Sequence, residues 1–234
     1  MPNDRYIIWD FDGTLGQRAG MWSGALLEVL RANGIAPHLT ATDLRPFLAG
    51  GFRWHNPHVK NLPGTSAEEW WNELDPIFEC AFRKGAGAEE VDARRLAKDV
   101  RKAYTLPSQW SLFPDTRQTL TLLAAQGWKH VLLSNHVPEL GSILQSLDAQ
   151  NFFVAVFNSA GTGVEKPHPE AFENVRSALP PGAQLWMVGD SFAADVQGAE
   201  SAGIPAILVR KPHRSAKRYA ENLPGVIPIL ENAG

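Results

Sequence analysis

Arg5-Tyr6-Ile7-Ile8-Trp9-Asp10-Phe11-Asp12-Gly13-Thr14 begins as a β-favouring run and breaks off into two aspartates, a glycine and a threonine. Similar runs recur at His130–Leu133 (HVLL), Val154–Phe157 (VAVF), Leu185–Val188 (LWMV) and Ala206–Val209 (AILV). Short, apolar and rich in β-branched residues, they read as buried parallel strands. Between them helix-like stretches cover Thr116–Ala125, Pro138–Leu147, Pro169–Leu179 and Phe192–Ala202, each ending near a Gly or Pro. Strands alternating with helices imply right-handed crossovers, so the expected fold class is α/β with a doubly wound parallel sheet.

From Ala19 to Tyr104 the pattern changes to helical periodicity with hardly any strand signal. Ser66 with Glu69 is a capping-box pattern, expected to open one helix carrying Trp70, Trp71, Leu74 and Phe78, and a second helix is expected over Glu89–Tyr104. Adjacent Trp70 and Trp71 point to different helical faces, so one is expected in a core and the other at a domain interface. The sequence therefore predicts a sheet-bearing core, residues 1–16 and 107–234, interrupted by a helical domain over 17–106.

Composition narrows the function classes. The chain has 234 residues, 44% hydrophobic and 20% charged, with 22 basic and 25 acidic side chains and a formal net charge of -3. Such balance supplies no global field for nucleic acid or an anionic membrane, so any anionic ligand must be held by local groups. One cysteine, Cys80, cannot form an internal disulfide. No segment approaches the roughly 18 consecutive apolar residues of a membrane span. A cytoplasmic protein without nucleic-acid or membrane partners is expected, and its oligomeric state is left open.

In an open parallel sheet, ligands bind beyond the carboxyl ends of the strands. Here the first strand runs into Asp10 to Thr14 and the second into Ser134-Asn135-His136. The fourth runs into Gly189-Asp190-Ser191 with Asp195 following, and Lys166 lies on the loop after the third. Carboxylates, a hydroxyl, an amide and a cation thus converge on one edge, as an active site requires. Clustered carboxylates repel one another unless a cation sits among them, and oxygen ligands suit a hard ion such as Mg²⁺. Asp10 could attack phosphorus as a carboxylate nucleophile, with Ser134 and Lys166 holding the equatorial oxygens. Asp12, two residues on in a turn allowed by Gly13, would protonate the leaving oxygen and later activate water.

At these residues the chain resembles the haloacid dehalogenase-like superfamily. All four of its motifs occur in order: DFDGT at Asp10–Thr14, SN at Ser134–Asn135, KP at Lys166–Pro167 and GDSFAAD at Gly189–Asp195. The resemblance implies a Rossmann-like core with an inserted α-helical cap. It also implies Mg²⁺ held by Asp10, Asp190, Asp195 and the backbone carbonyl of Asp12, and phosphate bound by Thr14, Ser134, Asn135 and Lys166. Asp10, Asp12 and Lys166 become the catalytic residues. An acid at Asp12 fits phosphatases and phosphomutases rather than the dehalogenase and phosphonatase branches. The expected function is hydrolysis of a small phosphorylated metabolite through an aspartyl-phosphate, with a mutase of the β-phosphoglucomutase type and a non-catalytic phospho-ligand-binding protein as alternatives. After DGTL the chain reads Gly16-Gln17-Arg18, where many relatives carry an apolar residue followed by Asp and Ser or Thr.

Within the helical part, Gly50 to His58 (GGFRWHNPH) offers Arg53, Trp54 and His55 as candidate substrate-specificity residues, set against a surface loop with Trp54 tucked into a local core. The basic run Arg210 to Arg218 lacks interleaved aromatics and reads as a solvated face rather than a nucleic-acid patch. His136 and His168 adjoin motif residues without an assigned role.

Overall fold

The computed structural model describes residues 4–60 and 64–232. Among these residues eight strands form two sheets: β1 (Arg5–Trp9), β2 (Gly16–Arg18), β3 (Trp110–Leu112), β4 (Trp128–Ser134), β5 (Phe153–Asn158), β6 (Gln184–Gly189), β7 (Ala206–Val209) and β8 (Tyr219–Ala220). Six lie in the order β5-β4-β1-β6-β7-β8 with every neighbouring pair parallel, while β2 pairs with β3. The chain builds outward from β1 through β4 to β5, then returns to the other side of β1 for β6, β7 and β8. That reversal beside β1 is where a doubly wound sheet opens its ligand crevice. Trp9 lies opposite Leu132 on β4 and Val188 on β6, so Asp10, Ser134 and Asp190 leave the sheet at one edge.

Alternate residues of the central strands, among them Tyr6, Ile8, Val131, Leu133, Met187 and Leu208, pack with Ala171, Phe172 and Val175 of the helix Pro169–Ser177. Each fully buried large apolar side chain there contributes about 1.5–3 kcal/mol. On the opposite face Trp9 donates its indole N–H to His130 Nδ1 at 3.0 Å, and His130 Nε2 lies 2.9 Å from the Leu120 carbonyl. Because Nδ1 accepts, the single proton of the neutral ring belongs on Nε2, where it is donated to Leu120.

Strands β2, β3 and β8 were not anticipated, and three of the expected elements take another form. The run VAVF was expected to be buried, but β5 is an edge strand that leaves Val154 and Val156 exposed. The expected helix Phe192–Ala202 is a wide π-turn, Phe192–Gln197, followed by a short α-helical segment, Gly198–Ser201. The helix opened by Ser66 stops at Asn72 and a new one begins at Asp75. Pro76 lacks an N–H and suits the first turn of a helix rather than its interior.

By contact the chain divides into two compact units, Met1–Gln17 with Pro57–Gly64 and Ser111–Gly234, and Arg18–Asn56 with Thr65–Trp110. The segment Pro57–Gly64, inside the continuous 17–106 stretch anticipated for the helical part, groups with the sheet-bearing unit, in which Lys60 pairs with Glu170. The helical unit has an aromatic core. Trp22, on the helix Met21–Ala32, lies flat against Tyr104 at 3.8 Å between ring centroids, with Phe52, Trp54, Trp71 and Phe78 within 5.0–5.9 Å of it. Trp70 and Trp71 are both buried, and Trp71 packs against Trp22 and Tyr104 within the helical unit. The Ser66 cap forms as the sequence predicts: Ser66 Oγ accepts from the Glu69 N–H at 3.1 Å, and Glu69 accepts from the Ser66 N–H at 2.9 Å. Among the described residues no helix is long and apolar enough to cross a membrane.

Candidate active site

Asp10 follows β1 directly, and three donors converge on its carboxylate. Lys166 Nζ donates to Oδ1 at 2.8 Å, Ser134 Oγ to Oδ1 at 3.3 Å, and Thr14 Oγ1 to Oδ2 at 3.1 Å. Lys166 also donates to Asp195 Oδ1 at 2.7 Å, so one buried ammonium bridges two buried carboxylates. Burial works against the charged lysine, but Asp10 and Asp195 outweigh it and hold its pKa above the ordinary lysine value. Burial, reinforced by Asp10, pushes Asp195 up to about 7 against the opposing pull of Lys166. Asp190 is raised by burial and by Asp10, while Lys211 and Lys166 draw it down.

Local backbone chemistry explains how these groups are aimed. The side chain of Asn135 donates to the Lys166 carbonyl at 2.9 Å and accepts from the Lys166 N–H at 2.7 Å. This reciprocal amide pair fixes the lysine backbone. Asn135, expected to bind phosphate, thus has its side chain positioning Lys166, with one amide N–H beyond this pair. Asp195 lies on the π-turn, where its carboxylate accepts from the Ser191 N–H at 2.9 Å and Ser191 Oγ accepts from the Ala194 N–H at 3.1 Å. Gly189 is required beneath it, since a Cβ at that position would stand 2.2 Å from Asp195 Oδ2. Gly13, in the left-handed region at φ +81°, is required in the same way by Asp190: a Cβ there would come within 2.2 Å of Asp190 Oδ2.

One carboxylate oxygen each from Asp10, Asp190 and Asp195 lies within 4.8 Å of the others. Lys166 is the buried cation among these three buried acids, so the set carries excess negative charge and offers only oxygen ligands. That combination fits a hard divalent ion such as Mg²⁺. The side chain of Asp12 is directed elsewhere: its Oδ1 lies 3.4 Å from Nε2 of buried His136. Burial opposes protonation of His136, but Asp12 outweighs it and raises the imidazole pKa.

Two residues escaped the sequence reading. His136 had no role, yet it is a partner of the Asp12 carboxylate. Lys211, counted with a solvated basic face, pairs through Nζ with Asp190. The rule that leads from β1 and β6 to their aspartates also applies past Val209 at the end of β7 and could have found Lys211. The helical unit's candidates have partners inside that unit. Arg53 is buried and forms a two-pronged ion pair with Glu73, at 2.8 Å from Nε and 2.7 Å from Nη2. Trp54 stacks on Phe52 at 4.6 Å between ring centroids and is half-buried, while exposed His55 meets the Phe52 ring edge-on.

The sheet order and the carboxylate–lysine cluster fit an α/β enzyme with its candidate site at the strand ends beside β1. The haloacid dehalogenase-like hydrolase family model matches residues 5–203, and the chain belongs to that family. It is 26% identical over 233 residues to haloacid dehalogenase-like hydrolase domain-containing protein 3 of Mus musculus, covering 97% of this chain and 91% of that protein. Phosphatase MT3486 of Mycobacterium tuberculosis is 28% identical over 232 residues, with 97% of each chain covered. Among solved structures, that of YfnB from Bacillus subtilis bound to magnesium superposes with a TM-score of 0.75 at 20% identity, over 98% of this chain and 99% of that one.

Proposed function

We propose that this hydrolase is an Mg²⁺-dependent phosphatase that takes a small phosphorylated metabolite and works through an aspartyl-phosphate on Asp10. The observation that carries the reading is the Asp10 carboxylate itself, ordered by Lys166, Ser134 and Thr14 at the strand edge where Asp190 and Asp195 also emerge. Its relation to a protein named a phosphatase, and its fold likeness to a protein solved with magnesium, support the same reading. The side chains of Asp10, Asp190 and Asp195 would hold the ion, together with the Asp12 carbonyl that the family pattern implies. When bound, Mg²⁺ supplies positive charge that offsets the carboxylates and the incoming phosphoryl oxygens.

In the first step an Asp10 oxygen forms a bond to phosphorus as the bond to the leaving oxygen breaks. Asp12 gives its proton to that oxygen, and the alcohol departs. In the second step Asp12 takes a proton from water, the water oxygen bonds to phosphorus, and the acyl-phosphate P–O bond breaks to regenerate Asp10 and release phosphate. Lys166 and Ser134 donate to the negative charge spread over the transferring group. The test is phosphate release from a panel of small phosphomonoesters, with Mg²⁺ or excess EDTA, comparing wild type with Asp10→Asn and Asp12→Asn. Release that requires the metal and both aspartates is expected. Release unchanged in Asp10→Asn, or sugar-phosphate isomerisation without phosphate release, overturns the proposal.

A further inference from the structure

We infer that Lys211 is a tethered cation that competes with the divalent ion for Asp190 and thereby sets the metal affinity of the site. The inference rests on the metal-dependent reading above and concerns a residue that the family motifs do not contain.

The two lysines at the site are held in different ways. Lys166 is 2% exposed and shared between Asp10 and Asp195, so it is part of the buried framework. Lys211 pairs with an Asp190 side chain that is 8% exposed, while its own side chain is 73% exposed. An ammonium on a flexible four-carbon stem can leave for water without uncovering anything. Its backbone, by contrast, is fixed. Arg210 adopts φ 65°, in the left-handed region, and is anchored by its side chain to the Thr14 carbonyl at 2.9 Å, to Asp115 at 2.8 Å and over the Phe113 ring at 3.7 Å. The Lys211 N–H turns back to the Val209 carbonyl at 2.7 Å. A rigid anchor and a loose side chain keep the ammonium near Asp190 whether or not the two are paired.

Asp190 is also one of the three carboxylates whose oxygens converge within 4.8 Å. A divalent ion that uses this carboxylate either displaces the ammonium or shares the carboxylate with it, and so gives up part of its attraction to Asp190 or stands beside a second cation. Removing the lysine charge therefore tightens metal binding, whereas an ordinary surface ion pair would leave it unchanged.

Calorimetric titration of Mg²⁺ into the full chain tests this for wild type, Lys211→Met, Lys211→Arg and Asp190→Asn. Lys211→Met is expected to lower the Mg²⁺ Kd about three- to fivefold, in the upper range of one partly exposed ion pair. Lys211→Arg keeps the charge and is expected to remain within about twofold of wild type on the same scale. Binding seen only in Lys211→Met also supports the inference. An unchanged or higher Kd in Lys211→Met, with binding abolished in Asp190→Asn, overturns the inference alone and leaves the metal site standing. Undiminished binding in Asp190→Asn, or none in either wild type or Lys211→Met, overturns both.

Discussion

Replacing Lys166 with Met leaves the buried stem volume nearly intact and removes one charge from among three buried acids. Lys166 is 2% exposed and donates to Asp10 at 2.8 Å and to Asp195 at 2.7 Å, so both carboxylates lose a close partner at once. Removing one member of a buried ion pair destabilises by about 3–5 kcal/mol. For a chain of this length that corresponds to a fall in Tm of roughly 6–20 °C. The loss depends on pH through Asp195. Its folded pKa of about 7 lies above the ordinary value of 3.8, so its contribution to stability is fully present below 3.8 and is lost as pH rises through about 7. Without Lys166 the pull opposing that upward shift disappears, and Asp195 stays protonated to still higher pH. The variant's deficit is therefore smaller at pH 5.5, where Asp195 carries its proton and only Asp10 has lost its cation, and larger at pH 8, where the fold must hold the Asp195 proton against the bulk pH or bear its charge unpaired. The assay is scanning calorimetry of both proteins at the two pH values in EDTA. A deficit below about 1 kcal/mol at pH 8, or a larger one at pH 5.5, would refute the claim that Lys166 is the main neutraliser of this cluster.

Gly13→Ala should lower phosphate release at least ~100-fold while the protein still melts cooperatively, because the new Cβ displaces Asp190. Gly34→Ala, also at positive φ but with nothing within 4 Å of its Cβ, is the control and should cost only about 1 kcal/mol in a chemical melt. Burial lowers the pKa of His130 below 6.5, so its contribution to stability is present above pH 6.5 and is lost as pH falls through the folded value. In His130→Gln that acid-side loss should vanish from stability measured between pH 5 and 7.5, and an unchanged slope would show that the ring does not titrate on unfolding. Arg53→Ala should destabilise by about 1–3 kcal/mol through loss of the paired bonds to Glu73, and Arg53→Lys should restore little of it, as read by urea unfolding.

Much of this architecture is legible in the sequence because buried strands must be apolar on both faces: β1 and β7 match their runs residue for residue, and the polar set at their ends marks the edge where chemistry collects. Context decides what the sequence hides. VAVF is apolar throughout, and only its place at the sheet margin leaves two valines in water. The π-turn that buries Asp195 has no periodicity of its own, being shaped by Ser191 and Gly189. Arg53 reads as a free guanidinium until Glu73, twenty residues on, closes over it. The bracing of Lys166 by Asn135 is equally hidden, because the two residues are 31 positions apart in the chain.

The central position of β1 has a consequence for biosynthesis. Trp9 and its partner His130 are 121 residues apart. At a ribosomal rate of about 5–20 residues per second, the first strand waits roughly 6–24 s before its neighbour is made. During that interval RYIIW is an apolar segment with no edge to join. The two aspartates after Trp9, with the turn at Gly13, place charge beside that sticky run. Charge set directly beside an apolar run is what limits association of such segments, and Asp10 and Asp12 occupy that place next to Trp9.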